Sequence, residues 1–244
     1  MNCCAAINAD TGRFFSRFAG LNRLRFRLFG FEHTQRQLMR GICDGGIAGA
    51  TLLEIGCGVG YLHRALLRLG ASRATGVDLS AGMLAIARAG AQAEGLAERT
   101  AYVQGDFTQI ADAVPDADVV VLDKVICCYP DWGSLVERSL LKARHRYAFT
   151  IPRDRVLTRA GLTAMRWGLQ GIGCCYQPFI HDAAQIDARI LAGGFRRAYE
   201  ARTAGWLTRV YARVGGKGSL ASDAPAAHTC IVPQGETEGG SSRG

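Results

Sequence analysis

The sequence lacks long apolar runs. No stretch of its 244 residues approaches the roughly 20 consecutive apolar residues that a membrane-spanning helix needs. The N-terminus also lacks the compact apolar segment and small-residue cleavage site that are typical of a secretory signal. With 48% apolar and 20% charged residues, the composition is that of an ordinary globular protein. We therefore expect a cytoplasmic protein.

Lysine is scarce. Only Lys124, Lys142 and Lys217 occur among the 29 basic residues, so arginine carries nearly all of the formal net charge of +8. Such an excess attracts phosphates, anionic lipid surfaces and carboxylated small molecules. It also occurs on solvated surfaces that have no specific partner. Charge alone therefore leaves several partners open.

The sequence also has no Cys-x-x-Cys motif among its nine cysteines, which is the spacing of a structural zinc site, so we expect no bound metal. Three adjacent pairs occur instead, Cys3-Cys4, Cys127-Cys128 and Cys174-Cys175. In a reducing cytoplasm we interpret them as small packing residues. A second hypothesis is that the pairs at 127 and 174 hold a soft substrate such as arsenite.

An N-terminal helical arm of one or two helices is predicted ahead of the main domain. Phe14, Phe18, Leu21 and Leu28 recur there at helical spacing. The rest of this stretch carries the arginines Arg13, Arg17, Arg23, Arg25 and Arg27. An amphipathic helix of this kind packs its apolar face on the domain. The alternatives are a lid over a ligand site and peripheral contact with a membrane surface.

Short apolar strands alternate with amphipathic helices from residue 51 onward. Strands are predicted at 51–56, 73–78, 100–105, 118–123 and 146–151. Helices are predicted at 61–69, 81–95, 132–143 and 182–192. This alternation favours parallel βαβ units in a doubly wound α/β sheet. Two further strands, at 195–202 and 206–214, are close enough to pair as an antiparallel hairpin.

The same pattern divides the chain into three parts. The helical arm covers residues 1–45, and the α/β domain covers residues 46–214. Within that domain, residues 152–180 form an insertion rich in arginine, glycine and aromatic residues, which interrupts the strand–helix rhythm. Residues 215–244 are rich in glycine, serine, alanine and proline, and we expect a disordered tail.

A glycine-rich turn, Glu54-Ile-Gly-Cys-Gly-Val-Gly60, follows the first predicted strand. We expect a ligand to contact this turn at Cys57 and to approach the backbone, without interference from Cβ atoms, at Gly56, Gly58 and Gly60. A dinucleotide-binding turn needs its third glycine one residue later, where Tyr61 stands. Glu54 also suits a cationic amino acid better than a pyrophosphate. The turn therefore favours S-adenosylmethionine (SAM) over a dinucleotide.

Acidic residues follow three later strands, at Asp78, Asp106 and Asp123. Because the carboxyl ends of parallel strands meet at one edge of a sheet, these side chains outline a ligand crevice. We expect Asp78 to accept hydrogen bonds from the ribose hydroxyls, Asp106 to accept from the adenine amino group, and Asp123 to face the methionine end. The apolar residues expected to contact the cofactor are Leu79, Met83 and Phe107.

From about residue 51 to residue 214 the sequence resembles the class I SAM-dependent methyltransferases. The resemblance rests on the glycine-rich turn, on Val77-Asp-Leu-Ser80 followed by Met83-Leu84, and on Gly105-Asp-Phe107. It implies a Rossmann-like seven-stranded sheet whose last two strands form a hairpin. It also implies SAM as the cofactor and transfer of its methyl group to an acceptor.

The segment Leu122-Asp-Lys-Val-Ile-Cys-Cys-Tyr-Pro-Asp131 is similar to the Mg-protoporphyrin O-methyltransferase branch of that family. That branch also has an N-terminal helical arm, and it esterifies a porphyrin propionate. A carboxylated acceptor would suit the arginines of the 152–180 insertion. The branch carries His where this sequence has Cys128. Tyr129 and His181 are candidate catalytic bases for an acceptor that must lose a proton.

The leading hypothesis is a SAM-dependent methyltransferase that acts on a carboxylate or hydroxyl oxygen of a small molecule. The first alternative is a nucleic-acid or protein methyltransferase. The sequence argues against nucleic acid, because it has no known nucleic-acid module and no Asn/Asp-Pro-Pro-Tyr type motif. The second alternative is a non-catalytic SAM-binding protein. The oligomeric state is left open.

Overall fold

A seven-stranded sheet organises the protein in a computed structural model that describes residues 3–171 and 176–215. The strands are β1 (Thr51–Ile55), β2 (Arg73–Asp78), β3 (Thr100–Gln104), β4 (Ala117–Asp123), β5 (Ala143–Pro152), β6 (Phe195–Arg202) and β7 (Trp206–Arg213). Their order is β3-β2-β1-β4-β5-β7-β6. Strands β1 to β5 are parallel, and β7 is antiparallel to both β5 and β6. The predicted doubly wound α/β fold and its C-terminal hairpin are confirmed.

The helices are α1 (Cys3–Phe29), α2 (His33–Cys43), α3 (Tyr61–Arg68), α4 (Ala81–Ala93), α5 (Phe107–Ile110), α6 (Trp132–Leu141), α7 (Val156–Gly171) and α8 (Ala183–Ala192). Four of them begin at a side-chain cap. Ser80, Asp106, Asp131 and Asp182 accept hydrogen bonds from the backbone N–H groups at the starts of α4, α5, α6 and α8. The caps at Ser80 and Asp106 explain why α4 and α5 start directly after the ends of β2 and β3.

Helices cover both faces of the sheet. Side chains along β4 alternate between these faces and pack against the helices on each side. Val120 packs with the cluster that includes Leu135 of α6 and Ile186 of α8. Val119 points the other way, into the cluster that includes Leu38 of α2. Burial on both faces is why β4 reads as an uninterrupted apolar run.

The N-terminal arm consists of two helices that separate at Gly30, whose φ is 63°. Helix α1 packs against the start of α4. A Cβ atom at Gly12 would lie 3.1 Å from the Leu79 carbonyl oxygen, so the two backbones approach closely there. The Ser16 and Ser80 hydroxyls are 2.7 Å apart. The predicted helical arm is therefore confirmed and lies beside the carboxyl edge of the sheet.

The structure adds two helices that the sequence pattern did not predict, the short α5 and the longer α7. Residues 156–171 of the predicted insertion form α7, which has no buried residue. The predicted tail lies, beyond Gly215, outside the described residues. Among the helices of the described ranges, none has the length and apolarity to span a membrane.

Candidate active site

A cavity of about 450 Å³ opens at the carboxyl edge of the sheet, where β1 and β4 end. The chain continues from β1 toward one side of the sheet and from β4 toward the other. Doubly wound sheets bind ligands at this switch point. The volume lies in the range of about 300–1,000 Å³ that is usual for small-molecule sites. Helices α1 and α7 supply the wall opposite the sheet.

The glycine-rich turn forms the floor of the cavity. Gly56, Gly58 and Gly60 have φ values of 66°, 53° and 76°, in the left-handed region that favours glycine. A Cβ atom at Gly56 would lie 2.4 Å from Val125 Cγ2, and one at Gly60 would lie 2.7 Å from His63 Cε1. At Gly58, apart from its two chain neighbours, no described residue has an atom within 4 Å of that position. A ligand can therefore approach the backbone closely at Gly58.

Asp78 closes this turn from the end of β2. Its Oδ2 accepts a hydrogen bond from the Gly58 N–H and its Oδ1 accepts one from the Ser80 N–H, both at 2.8 Å. Burial raises the pKa of this carboxyl, and the two backbone donors partly offset the shift. Each oxygen keeps a further acceptor position. Asp78 thus fixes the loop and can still accept from a ligand in the cavity.

Glu54 makes a contact that the sequence did not predict. Its Oε2 accepts from the His63 backbone N–H at 3.2 Å and lies 2.6 Å from His63 Nδ1. Both residues are buried, and His63 Nε2 lies 2.9 Å from the Tyr102 hydroxyl. Glu54 also lines the cavity. A buried imidazole therefore holds this carboxylate in place beside the glycine-rich turn.

Asp123, at the end of β4, is the most unusual acidic residue of the site. Its Oδ2 accepts from Gln35 Nε2 at 3.2 Å, whereas its Oδ1 is buried and has no hydrogen-bond partner in the part of the chain that is described. Burial raises the pKa of this carboxyl to about 6, with Glu54 and Glu32 adding to the shift and Lys124 opposing it. Asp123 lines the cavity. A cationic ligand would satisfy this carboxylate.

Lys124 follows directly, with φ at 60°, an uncommon value for a residue other than glycine. Its Nζ pairs with Glu32 and lies 4.9 Å from the centre of the Trp206 ring. Glu32 also pairs with Arg25 of α1. Burial raises the pKa of Glu32, but the two cations outweigh burial and the net pKa lies below its ordinary value. Arg25 and Lys124 line the cavity, so two cations share one carboxylate at its edge.

Asp106 and Phe107 follow β3 as predicted, and their side chains have different surroundings. Phe107 is buried and lines the cavity. The Asp106 carboxylate caps α5 and accepts hydrogen bonds at Oδ1 from the Thr108 N–H at 3.0 Å and the Tyr129 hydroxyl at 2.8 Å. Contact between Asp106 and an adenine amino group stays a prediction. Leu79, Met83 and Cys57 line the cavity beside the loop.

The two candidate bases, Tyr129 and His181, are both within hydrogen-bond distance of other protein groups. The Tyr129 hydroxyl donates to Asp106, and burial together with that carboxylate raises its pKa. Burial lowers the pKa of His181, whose Nε2 lies 2.9 Å from the Tyr129 carbonyl oxygen. Tyr129 lines the cavity, whereas His181 is not among the described residues that do. Their role as catalytic bases stays a prediction.

The far end of the cavity is apolar. It is formed by Cys127, Cys128, Leu162, Met165, Tyr176 and Pro178. Cys128 Sγ lies 3.3 Å from the Tyr176 hydroxyl, and the Tyr176 ring stacks on Phe14 of α1 at a centroid distance of 5.2 Å. Cys174 and Cys175 lie outside the described residues, so convergence of the two cysteine pairs is untested.

Comparison with known proteins gives the same fold. Residues 52–140 match the family described as "Methyltransferase domain". Magnesium protoporphyrin IX methyltransferase from Synechocystis PCC 6803, solved with bound S-adenosylhomocysteine (SAH), superposes with a TM-score of 0.62 at 21% identity. That superposition covers 83% of this chain and 98% of the other.

Two curated relatives match over shorter stretches. The ubiquinone biosynthesis O-methyltransferase of Sodalis glossinidius (strain morsitans) is 39% identical over 94 residues, which is 38% of this chain and 36% of that protein. The ribosomal protein L11 methyltransferase of Serratia proteamaculans (strain 568) is 43% identical over 76 residues, 31% of this chain and 25% of that protein. The chain thus spans about a third or less of the length of these relatives.

Proposed function

We propose that this chain, which contains a class I SAM-dependent methyltransferase domain, transfers the methyl group of SAM to an oxygen atom of a small apolar molecule. The observation that carries the proposal is the Asp123 carboxylate. Its Oδ1 atom is buried and has no hydrogen-bond partner among the described residues, and Asp123 lines the same cavity as the glycine-rich turn and Asp78. Leaving such a group unpaired is costly, which points to a cationic ligand.

SAM, the cofactor of this domain family, fits the residues present. Asp123 would accept hydrogen bonds from the ammonium group of the methionine end. Asp78 would accept from the ribose hydroxyls through its remaining acceptor positions. The missing side chain at Gly58 leaves room for the ligand against the backbone. Met83 and Phe107 would pack against the adenine.

When bound, SAM supplies a methyl group on a positively charged sulfur that a nucleophile can displace in line. The protein's contribution is then alignment, which can supply roughly 7–11 kcal/mol of the barrier. Glu54, fixed by His63, and Asp78, fixed by two backbone N–H groups, are held before any ligand arrives. Preorganised groups of this kind lose little conformational entropy when a ligand binds.

The remainder of the cavity supports a small apolar acceptor with an oxygen nucleophile. Its far end is formed by Leu162, Met165 and Tyr176, and its edge carries the cations Arg25 and Lys124. Among the described lining residues there is no histidine. A carboxylate is already deprotonated at neutral pH and needs no catalytic base. A carboxylated acceptor therefore suits this cavity best. The relatives named for ubiquinone and magnesium protoporphyrin IX also have small-molecule names.

Transfer of labelled methyl from SAM into a host-cell extract tests the proposal. The extract is then fractionated into small molecules, protein and nucleic acid, with tetrapyrroles and quinones resolved separately. Label in a base-labile ester or an ether of the small-molecule fraction supports the proposal. Label in protein or nucleic acid, or SAM binding with no label in any fraction, contradicts it.

Calorimetric titration of SAM isolates the cofactor half of the proposal. Asp78→Ala removes the ribose acceptor, and loss of a hydrogen bond to a charged group is expected to weaken binding by about 10- to 100-fold. Asp112→Ala is the matched control, because that carboxylate is 90% exposed and pairs only with Arg138 in the described structure. Equal affinities for the two variants would remove the assigned role of Asp78.

A further inference from the structure

Helix α1 has two apolar faces. Thr11, Phe15 and Ala19 lie on the face that packs against the domain. Leu21, Leu24 and Leu28 lie on the other face, at spacings of three and four residues, and are between 53% and 63% exposed. A soluble helix that only packs on its domain needs the first face alone. The second apolar face needs a separate explanation.

The exposed face of α1 is surrounded by cations. No acidic residue occurs from residue 11 to residue 31, a stretch with five arginines. Arg17, Arg23 and Arg27 are exposed and form no ion pair with any described residue. Arg17 continues the stripe of Leu21, Leu24 and Leu28 at helical spacing. Apolar side chains and unpaired cations therefore occupy one surface.

Helix α7 repeats this composition. It contains no acidic residue and no buried residue. Leu162 and Met165 line the cavity, whereas Val156, Leu157 and Trp167 are at least 70% exposed. Arg166 stands beside Trp167 and is also exposed. Only Thr158, Leu162 and Leu169 of this helix are half-buried. Exposing the remaining large apolar side chains is an unusual cost unless something else covers them.

The two helices lie at the same end of the molecule, because both line the cavity at the carboxyl edge of the sheet. Tyr176, which follows α7 in the chain, stacks on Phe14 of α1. The exposed residues of α1 and α7 therefore lie on the outward sides of two helices whose other residues line the cavity. We name this surface the arginine–leucine face and define it by Arg17, Leu21, Arg23, Leu24, Arg27, Leu28, Val156, Leu157, Arg166 and Trp167.

We propose that the arginine–leucine face docks on a membrane that contains anionic phospholipid. Leucine and tryptophan side chains on a helix whose polar positions are arginines are the residues that insert at the boundary of headgroups and acyl chains. The unpaired arginines match the negative charge of that surface. The proposal goes beyond methyl transfer and does not depend on it. It would also place the two helices that line the cavity at the bilayer, where apolar acceptors dissolve.

Sedimentation of the 244-residue chain with phospholipid vesicles tests this docking. Phosphatidylcholine vesicles are compared with vesicles in which about a third of the lipid is phosphatidylglycerol. We expect binding to the anionic vesicles, with affinity that falls as salt is raised because exposed charges are screened. The triple variant Arg17→Gln/Arg23→Gln/Arg27→Gln is expected to lose affinity on the order of 100-fold at low salt.

The matched charge control is Arg73→Gln/Arg144→Gln/Arg196→Gln. These exposed arginines lie at the starts of β2, β5 and β6, at the opposite edge of the sheet. The control removes the same net charge and is expected to bind like the wild type. If both triple variants lose affinity equally, net charge rather than this face drives binding, and the proposal is wrong.

The apolar half of the face is tested in the same assay. Leu21→Gln/Leu24→Gln is expected to abolish sedimentation with vesicles, whereas Leu141→Gln, at the far end of α6 and 79% exposed, is not. Brominated lipid is expected to quench fluorescence in the wild type but much less in Trp167→Phe. None of these residues lines the cavity, so SAM affinity serves as the check of folding.

Three results would overturn the proposal. One is the absence of vesicle binding by a chain that binds SAM. Another is salt-sensitive binding to RNA without binding to vesicles, which would make nucleic acid the partner. The third is a dimer in light scattering that Leu21→Gln/Leu24→Gln converts to a monomer while vesicle binding is absent, which would mean that a second copy covers the face.

Discussion

Replacing Asp123 with asparagine is expected to stabilise the ligand-free protein and to weaken its binding of SAM. The native pKa of Asp123 is about 6, against an ordinary value of 3.8. The native state therefore keeps this proton at pH values where the unfolded state has released it. Stability contributed by the group is lost as the pH rises from about 4 to about 7. Above that range the native state carries a carboxylate whose buried Oδ1 has no partner in the described part of the chain.

The shift of about two pKa units corresponds to on the order of 2–3 kcal/mol in the free energy of unfolding. Asp123→Asn removes this penalty, so its stabilising effect is expected to be largest at pH 8 and to vanish near pH 4. In the presence of SAM the sign reverses, because the variant lacks the charge that binds the ammonium group. The loss of one charge-assisted hydrogen bond is expected to weaken SAM binding by about 10- to 100-fold.

Urea unfolding at pH 8 and at pH 4, with and without SAM, measures both effects. Glu98→Gln is the matched control, since Glu98 is exposed and forms no ion pair in the described structure. If Asp123→Asn is neutral or destabilising at pH 8 without SAM, the carboxylate is not penalised and the reasoning fails. If SAM affinity is unchanged, Asp123 does not contact the cofactor.

Three further substitutions test the surrounding structure. Gly58→Val is expected to abolish SAM binding in calorimetry, because its side chain would occupy space now open to the ligand; unchanged affinity would contradict the placement of the cofactor. His63→Leu leaves the buried Glu54 without its imidazole partner and is expected to lower the free energy of unfolding by about 1–3 kcal/mol in urea, whereas His145→Leu, on a half-exposed histidine, should cost less. Tyr129→Phe should leave the pH dependence of kcat unchanged, because its hydroxyl donates to Asp106; loss of an ionisation from that profile would restore Tyr129 as a base.

The sheet could be predicted from the sequence because its signals are local. The apolar run of β4 and the glycines after β1 each lie within ten residues of chain. The starts of two helices could also be predicted from the sequence, because Ser80 and Asp182 cap the helices that follow them. Helix α7 was not predicted, because its apolar residues do not form a single buried stripe.

The site was only partly predictable because several of its contacts join distant parts of the chain. Gln35 donates to Asp123, 88 positions away, and Glu32 meets Lys124 across 92 positions. No pattern in the sequence around either residue predicts such a pair. The spacing of Glu32 and Gln35 does signal a capping box at the start of α2. The contact between His63 and Glu54 could not be predicted, because a histidine in an amphipathic helix gives no indication of its partner.

The backbone of Lys124 sets a limit on how this protein could be redesigned. A left-handed residue other than glycine costs of order 1–3 kcal/mol, and it persists when the surroundings hold it. Here Glu32 and the Trp206 ring hold the side chain. Lys124→Gly would relax the turn but delete the cation at the cavity edge, and a branched residue would worsen the turn without replacing the charge. Sequence optimisation for heat resistance alone would therefore select against lysine at position 124 and would remove a charge from the site.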